Sequence, residues 1–259
     1  VQESGDNTDL NQIAFVNYNT SSTMFLNKYE KEILTKDPGN NLYKKIDITG
    51  DGQRGYLVAI YDPSKVKVAT STNMGKSGQM LTTMAKDNDA VIAMNASGFV
   101  DPNYMSNGAI PHGPVIKNGV LVSNAARFGA GGGLIGFTKD NKLILSHMSG
   151  EEAIKAGIRD AVDFGPFLIV NGTPSFIKGN GGWGTAPRSA IAQRKDGIVL
   201  FLVMDGRDYV NGISGSDMSD LTEILLKYGA YNATNLDGGT SSGLVINNEL
   251  VSKPVNGSG

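Results

Sequence analysis

The sequence has 259 residues, enough to bury a core as one large domain or two small ones. Hydrophobic residues make up 40%, charged residues 19%, and the formal net charge is -2, which is typical of a globular protein. No basic stripe of the kind that binds nucleic acid is present, so we expect no nucleic-acid partner. The chain has no cysteine and two histidines, which excludes disulfides, thiolate catalysis and multi-histidine metal sites.

The sequence begins at VQESGDNTDL, without a Met, a charged segment or an apolar leader segment. It therefore reads as a mature product from which a signal peptide is already absent. The longest apolar runs, IVLFLVM and LVAIY, are too short to span a bilayer, so no transmembrane segment is predicted. Together with the lack of cysteine, this favours an exported protein, extracellular or associated with the cell envelope.

Residues 1–40 differ from the rest and are predicted to form a helical lead-in or extension. The expected apolar face of that helix consists of Phe25, Leu26, Tyr29, Ile33 and Leu34. Residues 41–259 contain no obvious linker and no fixed-period repeat, so they are predicted to form one domain.

From Tyr43 onward, short β-branched runs alternate with dipeptides that favour tight turns. Such pairs of runs predict β-hairpins, because the turn residues tolerate positive φ angles. The predicted turns are Asp62-Pro63, Asn118-Gly119, Asp140-Asn141, Asn171-Gly172, Asp196-Gly197 and Asn247-Asn248.

Helical patterns are few. GQMLTTMAKDNDA and EEAIKAG predict short helices, and SDMSDLTEILLKYG predicts a longer one capped by Ser216 and ended by Gly229. Many hairpins with a few separate helices indicate an α+β fold, with a strand-rich mixed sheet and short helices packed on it.

Three motifs imitate known sites and are set aside. G-T-S-S-G around Ser241 has the spacing of a serine nucleophile elbow, but a hairpin pattern follows and no histidine lies after it. GAGGGLIG matches a dinucleotide-binding fingerprint, yet it leads into a hairpin rather than a helix. DITGDG begins like a calcium loop, but Val58 stands where the bidentate Glu is needed.

Polar, glycine-rich tips follow three apolar strands. They carry Asn95, the pair Asp205 and Arg207, and the pair Asn235 and Asp237. Strand ends are rigid, and neighbouring glycines let a ligand approach the backbone closely. Because a carboxylate at the end of a buried strand needs a partner, several of these tips are expected to converge.

A further loop holds the single tryptophan and then enters a strand at Arg188. An arginine beside an aromatic residue suits sugar stacking and anion binding. A surface arginine next to a core tryptophan remains the plainer interpretation.

The stretches MNASGF, GPFLIVNG, APRSAIA with DGIVLFLVMDGR, and LTEILLKYGAYNATNLDGGTSSGLVINNELVSKP occur in this order and resemble the phosphodiester glycosidase family. The resemblance runs from about Tyr56 to Pro254, and one departure is Ala96, where the family usually has glycine. It implies hydrolysis of a sugar-1-phosphodiester of the N-acetylglucosamine-1-phosphate type, in an envelope glycan or glycoconjugate.

The resemblance also implies roles for the residues in these motifs. Asp237 and Asp205 are the catalytic candidates. The candidates for binding substrate are Asn95, Arg188, Arg207, Asn235, Gly238, Gly239, Ser241 and His112. No cofactor is expected to be required, although a bound calcium or magnesium ion remains possible.

Two other functions stay open at this point. A module that binds phosphorylated glycans of the envelope without cleaving them would need the same polar tips. A metal-dependent phosphodiesterase would cut the P–O bond, although the few histidines and scattered aspartates favour it least. In each case the expected partner is a sugar phosphodiester or a phosphorylated polysaccharide.

Overall fold

The computed structural model of the protein describes the backbone of Gln2–Glu3 and all atoms of residues 26–129 and 131–255. The strands within these ranges are β1 (Gln2–Glu3), β2 (Tyr43–Gly50), β3 (Gln53–Ile60), β4 (Ile92–Met94), β5 (Pro114–Lys117), β6 (Val120–Asn124), β7 (Gly133–Thr138), β8 (Leu143–Ser146), β9 (Ile158–Phe164), β10 (Phe167–Val170), β11 (Thr173–Pro174), β12 (Phe176–Ile177), β13 (Arg188–Arg194), β14 (Val199–Met204), β15 (Ala230–Asn235), β16 (Leu244–Ile246) and β17 (Glu249–Leu250). The helices are α1 (Lys28–Leu34), α2 (Leu81–Asp87), α3 (Gly150–Lys155) and α4 (Met218–Lys227).

Two sheets dominate the fold. One has seven strands in the order β11-β10-β15-β13-β14-β3-β2, and the other has five in the order β6-β5-β9-β7-β8. A three-stranded sheet, β17-β16-β4, and a two-stranded one, β1-β12, complete the set. The strand-rich α+β class expected from the sequence is confirmed. The arrangement of the strands differs from the single mixed sheet that we expected. The described strands divide among several sheets, and every pairing among them is antiparallel.

The two large sheets stack face to face, with helices on their outer faces. Alternation along β13 shows the arrangement: Ala190 and Ala192 belong to the core under α1 and α4, whereas Ile191 faces the five-stranded sheet. The outer face of the five-stranded sheet packs on α3 through residues such as Leu134 and Ile144. The molecule is therefore built as helix, sheet, sheet and helix, and its largest apolar core lies on both faces of the seven-stranded sheet.

Most predicted turns are confirmed as hairpins, because antiparallel strands pair on both sides of them and at least one residue of each dipeptide has a positive φ angle. Asn118-Gly119 has φ 49° and 73°, and Asn171-Gly172 has φ 48° and 80°. The run after Asp62-Pro63 is not a strand. Pro63 starts a short 3-10 turn capped by Asp62, and the next apolar stretch pairs its Val68 amide with the Asp160 side chain instead of a neighbouring strand.

The predicted helices are also present, with one different cap. Asp217, not Ser216, caps α4, because its side chain accepts a hydrogen bond from the Asp220 amide while Ser216 pairs its backbone with Ala186. Gly229 follows α4 with φ 80°, as expected for a helix end. No helix in the described ranges is long and apolar enough to cross a bilayer.

The first helix, α1, lies within the expected lead-in and packs on the seven-stranded sheet. Ile33 is fully buried there, and Leu26 is 8% exposed. Phe25, expected on the same face, lies outside the described residues. The division of the chain at residue 40 stays a prediction.

Replacing Ile33 by Ala should lower the free energy of unfolding by about 2–5 kcal/mol, because it leaves a cavity between α1 and the sheet. Urea denaturation measures the change. Lys31→Ala on the exposed side of the same helix is the matched control and should change the value by less than about 0.5 kcal/mol. An Ile33→Ala protein as stable as the control would show that α1 does not belong to the folded core.

Candidate functional site

One edge of the seven-stranded sheet collects the predicted site residues. The start of β13 pairs with the end of β14 at Arg188 and Met204, and with the end of β15 at Ala190 and Asn235. Because neighbouring strands run in opposite directions, the starts of some and the ends of others meet at the same edge. Asp205 and Asp237, which follow β14 and β15, therefore both emerge beside Arg188.

Asn95, which follows β4, ties this edge together. Its Nδ2 donates to the Asp237 carbonyl oxygen at 2.7 Å. Its Oδ1 accepts from the Ser189 hydroxyl at 2.7 Å and from the Gly243 amide at 3.1 Å. The side chain thus uses its donor and its acceptor to hold the protein, which indicates that Asn95 positions the Asp237 tip.

The Asp237 side chain lies partly buried at this tip. Its amide donates to the Ala96 carbonyl at 2.9 Å, and its Oδ1 accepts from the Gly238 amide at 3.0 Å. Burial raises the pKa of Asp237, while hydrogen bonds from Ser241 and Gly238 and the charge of His112 lower it in part. No salt bridge to Asp237 occurs among the described residues, so this carboxylate is held by neutral donors.

Ser241 lies in a short 3-10 turn, Gly239–Ser241, that leads into β16. The geometry agrees with setting aside the nucleophile elbow, because a strand follows where the elbow needs a helix. The Ser241 hydroxyl lies beside the Asp237 carboxylate and lowers its pKa.

Asp205 has a different environment. It is 2% exposed; its Oδ2 accepts from Arg54 Nε at 2.8 Å and from the Tyr56 hydroxyl at 3.3 Å. Its Oδ1 accepts from the Lys253 amide at 2.8 Å. These contacts occupy both oxygens and give Asp205 a structural task, so its role in catalysis remains a prediction that the contacts do not favour.

Two arginines flank the glycines that follow Asp237. Arg188 is 7% exposed and donates to the carbonyl oxygens of Ser216 at 3.1 Å and Gly184 at 2.7 Å. A Cβ placed on Gly238 would lie 3.5 Å from Arg188 Nη1, and one placed on Gly239 would lie 3.5 Å from Arg207 Nη1. Both guanidinium groups therefore lie against this turn.

The electrostatics of this pair favour an anion. Burial lowers the pKa of Arg188, and the nearby charge of Arg207 lowers it further. Neither arginine forms a salt bridge with an acidic side chain in the described part of the chain. Arg207 also has φ 55°, a left-handed conformation that is uncommon for a side chain of this size. The charge of Asp217 offsets part of this effect on Arg188, but two like charges that form no salt bridge still favour the binding of phosphate or carboxylate.

Both glycines of the turn use their amides within the protein. The Gly238 amide bonds to Asp237, and the Gly239 amide donates to the Pro187 carbonyl at 2.9 Å. A Cβ on Gly238 would lie 2.9 Å from that same carbonyl oxygen, so a larger residue would push the tip away from β13. Their contribution to binding is the close approach that they allow rather than free amide donors.

Asn235 and His112 sit at the margins of the site. Asn235 is 4% exposed, and its Nδ2 donates to the Gly165 carbonyl at 2.9 Å, so it joins β15 to the segment before β10. The His112 amide donates to the Gly98 carbonyl at 2.8 Å, which attaches it to the tip that begins at Asn95. The structure thus brings His112 to the Asp237 neighbourhood and gives Asn235 a scaffolding position.

A cavity of about 1050 Å³ opens beside Asp237, between the two large sheets. Asn95, Asp237 and Ser241 line its polar end, and α2 with its flanking loops forms one wall. Apolar residues such as Met84 and Phe99 line much of the remainder. A concave site with a few convergent polar groups is the usual form of a small-molecule site.

No group of three or more His, Cys, Asp and Glu side chains that could hold a metal ion occurs in residues 26–129 and 131–255. A bound calcium or magnesium ion therefore remains a prediction without a ligand set among these residues.

Sequence reasoning missed two charged residues near the site, Arg54 and Asp163. Arg54 follows the Asp51-Gly52 turn that the sequence analysis treated only as a failed calcium loop, and its link to Asp205 spans 151 positions. Asp163 lies on β9 just before the glycine-proline motif and is 3% exposed. The sequence signal that could have identified Asp163 is an aspartate within an apolar strand pattern, because a buried carboxylate is costly and often has a function.

The model of the phosphodiester glycosidase family matches residues 88–259. In Bacillus subtilis, the SPbeta prophage-derived uncharacterized protein YomE is 30% identical over 200 residues, which cover 74% of this chain and 30% of that protein. The bovine N-acetylglucosamine-1-phosphodiester alpha-N-acetylglucosaminidase is 27% identical over 157 residues, 52% of this chain and 29% of that enzyme. The chain thus spans about a third of the length of these relatives.

Solved structures share the fold. The catalytic domain of the zebrafish N-acetylglucosamine-1-phosphodiester alpha-N-acetylglucosaminidase, auto-inhibited by its pro-peptide, superposes with a TM-score of 0.66 at 20% identity. That match covers 85% of this chain and 78% of the other. A hypothetical protein from Synechocystis gives a TM-score of 0.63 at 17% identity, covering 82% of this chain and 59% of the other.

Asp205→Asn should lower the free energy of unfolding by roughly 2–4 kcal/mol, because it leaves Arg54, 22% exposed, without its buried partner. Chemical denaturation checks the loss. Asp208→Asn is the matched control, since Asp208 bonds to the same arginine but is far more exposed, and it should change stability little. A fully stable Asp205→Asn protein with lost activity would instead support a catalytic role for Asp205.

Proposed function

The chain belongs to the phosphodiester glycosidase family, and we propose that it hydrolyses the glycosidic C–O bond of a sugar-1-phosphodiester of the N-acetylglucosamine-1-phosphate type. The observation that carries the proposal is the turn after β15, where the carboxylate of Asp237 precedes two glycines that lie against two arginines, neither of which forms a salt bridge among the described residues. A sugar with a phosphodiester on its anomeric carbon needs both features, a negative charge near that carbon and a positive charge near the phosphate. The related bovine enzyme carries this chemistry in its name.

The arginines would stabilise the leaving group. When the C–O bond breaks, negative charge develops on the departing phosphate monoester, and the guanidinium groups of Arg188 and Arg207 can stabilise that charge by donating forked hydrogen bonds to the phosphate oxygens. Arg188 is fixed by two carbonyl oxygens, which reduces the reorganisation needed during the reaction. A phosphate monoester leaves readily, so this chemistry depends on anion binding more than on a strong proton donor.

Asp237 would face the sugar. Its ionised carboxylate stabilises positive charge at the anomeric carbon as the bond breaks. Neutral donors hold it instead of a salt bridge, so its charge stays available to the substrate. Asp205 would have a structural role at this edge of the seven-stranded sheet, because it binds Arg54 and the Lys253 amide.

We also propose that the natural substrate is a phosphorylated glycan or glycoconjugate of a cell envelope and that the protein acts outside the cytoplasm. The absence of cysteine suits an exported protein, and the open, concave site could admit the end of a glycan.

The test uses N-acetylglucosamine-1-phospho-methyl ester, with the products separated by chromatography. The wild type should release free N-acetylglucosamine and methyl phosphate, and Asp237→Asn should lower kcat/KM by about 10³-fold, because the sugar cation loses its counter-charge. Asp62→Asn, at a distant exposed turn, is the control and should act as the wild type does.

Arg207→Ala and Arg207→Lys extend the same assay. The alanine variant should lose roughly 10²-fold in kcat/KM, and lysine should restore only part of it, because a single ammonium cannot replace the forked contact. Binding of the ester without any product would instead support a glycan-binding module. N-acetylglucosamine-1-phosphate and methanol as products, lost on adding a chelator, would support a metal-dependent phosphodiesterase.

A further inference from the structure

A second group of ionisable side chains borders the site from the five-stranded sheet. It consists of Asp163 on β9, Arg127 after β6, His147 after β8 and His112 before β5, and we call it the Asp163 cluster. It contains both histidines of the sequence. The mechanism proposed above uses none of these four residues.

Asp163 is buried without full compensation. It is 3% exposed, and its Oδ2 makes no hydrogen bond within the described residues. Arg127 Nε lies 3.0 Å from that oxygen, so the two groups attract, but the angle is too poor for a hydrogen bond. Arg127 directs other donors to the carbonyl oxygens of His147 and Met148.

The consequence is a carboxyl group that titrates near neutral pH. Burial raises the pKa of Asp163 to about 6, although the charges of Arg127, His147 and His112 oppose the rise. Because the folded protein binds this proton more tightly than an unfolded chain does, the protein loses stability as the pH rises from about 4 through 6. A carboxylate kept at the expense of stability is often functional.

His112 connects the two aspartate neighbourhoods, because the next residue, Gly113, packs against Asp163 and the His112 amide bonds to the Gly98 carbonyl on the Asn95 tip. Its charge lowers the pKa of both aspartates. Its Nδ1 is 3.4 Å from the Ala126 carbonyl oxygen. Its opposite edge faces the Asn95 tip, since a Cβ on Gly98 would lie 3.6 Å from His112 Cδ2. In the tautomer with its proton on Nδ1, His112 donates a hydrogen bond to the Ala126 carbonyl. The lone pair of Nε2 then lies on the other edge of the ring, which faces the Asn95 tip.

The packing fixes this arrangement. Gly113 has φ 70°, and a Cβ there would lie 2.4 Å from the Asp163 Cβ, so only glycine lets the backbone after His112 approach the aspartate this closely. The ring of Phe128 lies 5.3 Å from that of His112 and 5.5 Å from that of Phe164, centroid to centroid. The imidazole is therefore held in place.

We propose that His112 is the base of the reaction proposed above and that Asp163 is its positioning residue, whose negative charge stabilises the imidazolium. The inference rests on the proposed function. The oxygen of a water molecule bonds to the anomeric carbon, and the C–O bond to the phosphate breaks with its electron pair leaving on the phosphate monoester. The proton of the water passes to His112 Nε2 and then to solvent, while Asp237 stabilises the positive charge on the sugar.

The test compares kcat/KM of the wild type and Asp163→Asn on N-acetylglucosamine-1-phospho-methyl ester from pH 5 to pH 8. At pH 5 Asp163 is mostly protonated in the wild type, so the two rates should agree within about threefold. At pH 8 Asp163 is ionised, and the wild type should be at least about tenfold faster. A role limited to structure would lower the rate by the same factor at every pH.

A double-mutant cycle shows whether Asp163 acts through His112. His112→Gln alone should lower kcat/KM at pH 8 by roughly 10²–10⁴-fold. In the His112→Gln background, Asp163→Asn should have no further effect, because the imidazolium that it stabilises no longer forms. Equal effects of Asp163→Asn in both backgrounds would overturn the proposal.

Asp160→Asn is the matched control. Asp160 lies on the same strand, is 2% exposed and pairs with Arg159, so its loss should reduce stability but leave the shape of the pH profile unchanged. A pH-dependent ratio for this variant as well would overturn the specific role of Asp163. A wild type that does not cleave the ester would refute the proposed function itself, and this inference with it, whereas an active wild type with a flat ratio would refute this inference alone.

Discussion

The hydrogen bonds of the Asn95 side chain are the constraint on which the rest of the site depends. They join the Asp237 carbonyl and the Gly243 amide, which lie in one connection between β15 and β16, to the Ser189 hydroxyl on β13, and Asn95 itself is far from both segments in the sequence. Without them the Asp237 tip would lose its fixed place between the two large sheets. The arginines flank the two glycines of this tip, so the distance between carboxylate and cations follows from the same contacts. The Asn95 side chain, whose donor and acceptor groups both bond to other parts of the protein, thus sets the geometry of the anion site.

Three aspartates near the edge differ because of their surroundings rather than their chemistry. Asp205 is neutralised by Arg54 and braces the strand ends. Asp237 is held by neutral donors, with a raised pKa, and keeps its charge for a ligand. Asp163 is buried deeply enough to titrate near neutral pH. Environments that set similar groups apart in this way are a common basis for assigning different roles in one site.

Features with local causes could be predicted from the sequence, and features with distant causes could not. The Asn118-Gly119 and Asn171-Gly172 hairpins follow from the φ angles of their own residues. The run around Val68 failed to become a strand because its amide found the Asp160 side chain, 92 positions away. The resemblance found the Asp237 tip, but the contacts that separate Asp205 from Asp237 come from Arg54, which lies outside the motifs of the resemblance, and from the backbone amide of Lys253, whose position depends on the fold.

The central claim is that the bond between the anomeric carbon and the phosphate oxygen breaks. Hydrolysis of N-acetylglucosamine-1-phospho-methyl ester in water enriched in heavy oxygen tests it most directly, because attack at carbon and attack at phosphorus can give the same two products. Mass spectrometry of both products locates the label. The account predicts heavy oxygen in the released N-acetylglucosamine, at the anomeric hydroxyl, before exchange with the solvent. Heavy oxygen in the methyl phosphate instead would contradict it, because the water would then have attacked phosphorus.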